Sequence, residues 1–172
     1  MIARNVFQLV FKVLIYLGIY FLVASRLHPF NLSSLTYSAV ILLLPIGSNA
    51  VRTMFFAFAI GMLVDTFHST PGIHTAACVL MAFFRANFLN WMVPAGGYEE
   101  YMIVSFPSMG LKWFAPYMMG LIFLHHVTYF IIDYSSFDQL GMVFLKSSLS
   151  TVFTFLSIVL IQLGMEPPRR AD

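Results

Sequence analysis

The chain has 172 residues, of which 60% are hydrophobic and only 9% charged, with a net charge of +2 and a mean hydropathy of +0.86. A soluble domain carries about 25% charged residues, so the charged skin of one is missing and lipid is the natural solvent. The small net charge gives no argument for nucleic acid, and a single cysteine, Cys78, excludes an intrachain disulfide.

A membrane-spanning helix needs about 20 apolar residues. The hydropathy pattern predicts an all-α, polytopic bundle of about six such helices in one transmembrane domain covering residues 1–172. Six spans with short loops nearly fill that length, leaving no room within it for a soluble catalytic domain. The first span is predicted at 6–24. A cleaved signal peptide is the competing reading, since Val23-Ala24-Ser25 ends in small residues. Lys12 interrupts the apolar stretch, and the stretch is as long as a span, which favours the span.

A turn at 25–31 contains Arg26, His28 and Pro29, and a short second span is predicted at 32–46, closed by Pro45 and Gly47. Gly47-Ser48-Asn49 makes a tight connection, so spans two and three can form a helical hairpin. The third span is predicted at 51–67. The run His68-Ser69-Thr70-Pro71-Gly72 then breaks the helix, with Thr70 as the expected N-cap and Pro71 at the first position of the next helix. The fourth span is predicted at 73–93. The longest connection, 94–111, holds Gly96-Gly97, Glu99-Glu100, Pro107 and Gly110. Spans at 112–132 and 140–163 complete the bundle, separated by a polar turn at 133–138. The tail at 166–172 carries Arg169 and Arg170. Six spans put Arg4, Arg52, Lys112, Arg169 and Arg170 on one side and Arg26 alone in the opposite loops, so the expected orientation has both termini in the cytoplasm.

Ionisable groups at membrane depth are costly and each needs a reason. Asp65 shares a helix face with His68 and precedes His74, which suggests a metal or proton site. No third ligand has diagnostic spacing. The preferred reading is structural: a carboxylate beside the start of span four accepts its free N–H groups and complements its dipole. An Asn carbonyl ought then to replace it with modest loss. His74, Cys78, Met81 and Arg85 form one stripe of span four, read as a packing face, from which Arg85 reaches the cytoplasmic interface by snorkelling. Lys12 falls near the middle of span one, and Lys146 near the water at the far end of span six. His125 and His126 point about 100° apart, so interhelical hydrogen bonding is expected rather than shared coordination. Gly61, Gly110 and Gly120 are expected to allow close helix approach. There is no phosphate loop, paired carboxylate set or nucleophile elbow, and no cofactor is expected.

Two stretches carry a resemblance. One is Gly61-Met62-Leu63-Val64-Asp65, followed by Ser69-Thr70-Pro71-Gly72-Ile73-His74 and the helix through Cys78 to Arg85. The other is Gly97-Tyr98-Glu99, then Gly110-Leu111-Lys112-Trp113-Phe114, then His125-His126. In this order, at this length and hydropathy, the chain resembles the rod shape-determining MreD family. The resemblance implies a non-catalytic scaffold of the bacterial cell-elongation machinery in the inner membrane. It implies association with MreC and, through it, with MreB, RodA and the transpeptidase PBP2. It also implies a distant similarity in fold to the substrate-binding subunits of energy-coupling-factor transporters. That raises the alternative of a small-ligand-binding subunit of a vitamin transporter. Span one, Val13-Leu14-Ile15-Tyr16-Leu17-Gly18, lacks the Ala-x-x-x-Ala pattern expected for its coupling partner. On this reading Gly61, Asp65, Gly72, His74, Arg85, Lys112, Trp113, His125 and His126 are the candidate structural or partner-binding residues.

Overall fold

In a computed structural model, residues 2–24, 34–99, 102–135 and 137–165 are described. The turn expected at 25–31 and the tail at 166–172 lie outside them, with Arg26, Arg169 and Arg170. Every named element is helical, and the only β-type pairing among the described residues is an isolated antiparallel bridge between Pro45 and Ile103. Helix α1 (Ile2–Ile19) runs on into a π-helical turn, Tyr20–Ala24. A short 3-10 turn (Thr36–Ser38) leads into α2 (Ala39–Leu42). Then follow α3 (Ala50–His68), α4 (Ile73–Trp91), the one-turn α5 (Phe106–Met109) and α6 (Leu111–Tyr134). A 3-10 turn (Phe137–Gln139) precedes α7 (Leu140–Met165). Successive long helices pack against one another, α3 on α4, α4 on α6 and α6 on α7.

Among the described residues three helices are long and apolar enough to cross a membrane by length and composition: α3, α6 and α7. Helix α4 matches α3 in length at 19 residues, about 28 Å at the helical rise. His74, Arg85, Asn87 and Asn90 make it the more polar of the two.

The expected second span requires correction. Over its described part, 34–46, helix covers only Thr36–Leu42, and the chain turns out of it before Pro45. It is therefore no hairpin partner for α3. Every residue from Ser34 to Leu44 is buried. The segment lies inside the bundle, against α1, α3, α4 and α7. Non-regular backbone is tolerated at membrane depth only where protein covers it and satisfies its polar groups.

Local chemistry sets the helix ends. Asn49 begins α3: its Oδ1 accepts the N–H of Val51 at 3.0 Å and of Arg52 at 3.2 Å. Ser69 ends it in the left-handed region, at φ 55°, with its N–H returned to the Asp65 carbonyl. Thr70 and Pro71 do not start α4 as expected. Gly72, at φ 87°, is the N-cap residue, and it offers no side chain to the free N–H groups. In the 94–111 connection, Ser105 accepts from Ser108 N–H and starts α5, with Pro107 in its first turn. Gly110 is needed for its φ of 71°, and a methyl group there would meet nothing within 4 Å. The expected close helix approach at Gly110 is thus replaced by a turn requirement. At Gly120 a methyl group would meet the Phe88 ring at 2.7 Å.

Candidate functional site: two buried charges and the segment between them

Asp65 sits in the last turn of α3 and is only 6% exposed. Its carboxylate accepts four hydrogen bonds. Oδ1 takes the Thr70 hydroxyl at 2.6 Å and His74 N–H at 3.0 Å. Oδ2 takes Thr75 N–H at 2.9 Å and the Thr75 hydroxyl at 2.6 Å. The side chain thus caps α4 from the preceding helix, supplying what Gly72 lacks. An anion there also meets the positive end of the helix dipole. Gly61, one turn earlier, makes the approach possible: a Cβ on it would lie 2.4 Å from Thr75 Cα and 2.9 Å from Thr75 N. Only hydrogen fits between the two backbones.

Arg85, on α4 less than two turns from its end, is 2% exposed. Its Nη2 donates to Leu44 O at 2.6 Å and Pro45 O at 3.3 Å, and its Nε to Tyr117 Oη at 3.0 Å. Tyr117 in turn donates to Leu42 O at 2.9 Å. These are the carbonyls left without helical partners where α2 ends. The expected snorkelling is corrected: the guanidinium is held inside, because the exit of the buried segment supplies acceptors that α4 alone does not provide.

Between the two charges lies a cluster of aromatic and imidazole groups. Tyr37 Oη, from the buried segment, is 2.7 Å from His74 Nδ1 and 3.0 Å from His125 Nε2. One hydroxyl proton serves two imidazole nitrogens, so Tyr37 donates to one ring and accepts from the other. Cys78 Sγ lies 3.7 Å from the same His125 nitrogen. His126 faces away. Its Nδ1 donates to Ile122 O at 2.9 Å, which leaves Nε2 to accept from Thr154 Oγ1 at 3.4 Å. Thr154 Oγ1 itself accepts Leu35 N–H at 3.2 Å. The entry of the buried segment is therefore tied to α7, its middle to α4 and α6, and its exit to Arg85 and Tyr117.

Comparison of the chain with protein-family models, with curated proteins and with solved structures finds no match.

Among the described residues no three His, Cys, Asp or Glu side chains are placed to hold a metal ion. His68, expected beside Asp65, bonds to Tyr20 Oη at 2.9 Å instead. Its ring meets His74 at 5.5 Å between centroids without a hydrogen bond, so the polar chain from Tyr20 to His125 is interrupted there. The stripe of His74, Cys78, Met81 and Arg85 is buried throughout. Trp113 donates its indole N–H to Met92 O at 2.8 Å, closing the end of α4, and stacks on Tyr117. Lys112 is exposed beside it. Lys146 donates to the Tyr134 hydroxyl and lies over that ring.

Sequence reasoning missed Tyr37, Tyr117 and Thr154. One signal pointed to them. A buried arginine with no carboxylate nearby in sequence needs carbonyl acceptors, and the short apolar run ending at Pro45 is where unpaired carbonyls arise.

Proposed function

We propose that the chain is a multi-pass subunit of the bacterial inner membrane and a non-catalytic scaffold of the peptidoglycan-synthesising elongation machinery. It would bind MreC and through it connect MreB, RodA and PBP2. The observation that carries this reading is the use made of the residues that resemble the MreD family. Gly61, Asp65, Gly72 and His74 are spent on joining α3 to α4, and Trp113 and His125 on internal hydrogen bonds. With these polar groups committed inward, what the bundle offers outward is helix surface. Val51, Phe55, Met62 and Phe67 on α3, and Leu145, Leu149, Leu156 and Leu160 on α7, are exposed. Such surfaces suit lipid and the single helix of a bitopic partner.

In this reading the 34–46 segment crosses the bundle by an irregular path rather than as a regular helix, running from His74 to Arg85; α1 and α4 cross with α3, α6 and α7 as helices, and the charge bias keeps both termini cytoplasmic. The transporter-subunit alternative needs ligand space inside the bundle. The buried 34–44 segment, with Tyr37 between His74 and His125, fills that interior, which favours the scaffold.

The test is affinity purification of the full chain from native membranes in mild detergent, paired with depletion. Recovery of MreC and rounding of depleted cells are expected. Recovery of an ATPase with its transmembrane coupling subunit, and rod growth preserved while vitamin uptake fails, would replace the scaffold with the transporter reading.

A further inference from the structure

Among the described residues Arg85 is bonded to three neutral acceptors and to no carboxylate, so its positive charge meets no described counter-ion. Its other terminal nitrogen, Nη1, has no hydrogen bond to a described residue. Arg85 lines a cavity of about 280 Å³ that is also bordered by Ser48, Thr53, Asn90 and Tyr98. Beside it a second cleft, of about 420 Å³, is lined by Arg52, Asn49 and Phe56, and Gly47, Ser48 and Thr53 line both. The two spaces therefore meet at the turn between α2 and α3, with a buried arginine on one side and the exposed Arg52 on the other.

We propose that this cleft binds the phosphate headgroup of an anionic phospholipid. A guanidinium with a free edge matches phosphate oxygens in pairs. The Ser48 hydroxyl and the Asn90 amide extend the polar wall around it, while the Thr53 hydroxyl donates to Asn49 O. The location suits a lipid better than a dissolved ion. Both tryptophans, Trp91 and Trp113, lie at this end of the bundle, and Trp91 is 83% exposed; tryptophan concentrates at headgroup depth. Val51 and Phe55, exposed on the first turns of α3, offer an apolar track for acyl chains leading from the cleft. Basic pockets between membrane helices are suited to anionic headgroups.

The same two tryptophans report the test. The full chain, purified in an uncharged detergent, is titrated with phosphatidylglycerol, phosphatidylcholine or inorganic phosphate while intrinsic fluorescence is read. A saturable response to phosphatidylglycerol is expected, with at least about tenfold weaker binding of phosphatidylcholine and none of free phosphate. Two variants leave the bonds of Arg85 in place. Ala86→Leu fills the cavity it lines, and Arg52→Gln removes the exposed charge; each is expected to weaken phosphatidylglycerol binding about tenfold at an unchanged unfolding temperature. If Ala86→Leu lowers that temperature, Arg52→Gln alone decides. Equal binding of phosphatidylcholine, an equal response to inorganic phosphate, or wild-type binding by the deciding variant would each overturn the proposal.

Discussion

At one end of the bundle Asp65 is held by hydroxyls and by the N–H groups that open α4; at the other, Arg85 is held by a phenol and by carbonyls where α2 stops. Both are buried charges, and neither forms an ion pair with a described residue. Each uses backbone groups that helix geometry leaves unpaired, the anion taking donors and the cation acceptors. They differ in reach. Asp65 bonds to residues 5 to 10 positions away, whereas Arg85 bonds to residues 32 to 41 positions away. The first is a local joint between consecutive helices, and the second a long-range clasp on a buried segment that is helical only over Thr36–Leu42. Charge in a membrane bundle thus serves as a backbone partner in two settings: a helix started by glycine, and a short helix that ends inside.

The clasp is where the largest loss is expected. Arg85→Met strands the Leu44 carbonyl and removes the Tyr117 contact, while the Pro45 carbonyl keeps the Ser48 N–H; the cost is about 4 kcal/mol for charge-assisted bonds to buried acceptors. Arg85→Lys keeps the charge but not the fork and falls roughly midway. Denaturant unfolding in detergent, with protein level in membranes, measures both. If Arg85→Met matches wild type, apolar packing alone holds the buried segment, and the parallel between the two charges breaks.

Gly61→Ala comes next. The added methyl meets the Thr75 backbone at 2.4 Å, and neither helix has a flexible side-chain end there to give way. A loss of about 2–3 kcal/mol is expected, in the range of overpacked interiors, together with weaker protection of the His74 and Thr75 amides in hydrogen exchange. Unchanged protection would show that α3 and α4 do not need this approach to keep the cap.

The same difference in reach explains what was legible. Gly61, Asp65 and Gly72 are close in sequence, and the break at His68–Gly72 announces a helix start, so the capping role of Asp65 follows from spacing. The expected cap by Thr70 failed because Asp65 takes both the Thr70 hydroxyl and the first α4 N–H groups. The long apolar helices were equally legible, since periodicity and length need no partners. The 34–46 segment was not. Its hydropathy is that of a span, and only Arg85, Tyr117, His125 and Thr154, each remote in sequence, make an irregular buried path tolerable. Arg85 was misread for the same reason, because snorkelling can be inferred from one helix while the clasp requires three.

The smallest effect separates capping from chemistry at Asp65. The sequence alone suggests that Asn replaces it with modest loss, because an amide still accepts. The observed geometry raises that cost. Each carboxylate oxygen accepts one hydroxyl and one backbone N–H, and Asn turns one of those oxygens into an NH2 group. The hydroxyl on that side can rotate to accept from the amide, but the backbone N–H of His74 or Thr75 then faces another donor. One orphaned buried N–H costs about 2 kcal/mol. Asp65→Leu orphans both, at about twice the cost of one. Unfolding of the two variants in detergent, set beside their ability to restore rod shape, tests the account. Loss of shape in proportion to loss of folded protein fits a joint. An Asp65→Asn protein that is as stable and abundant as wild type yet fails completely would mean that the negative charge itself is needed, and Asp65 would then belong to a functional site rather than a cap.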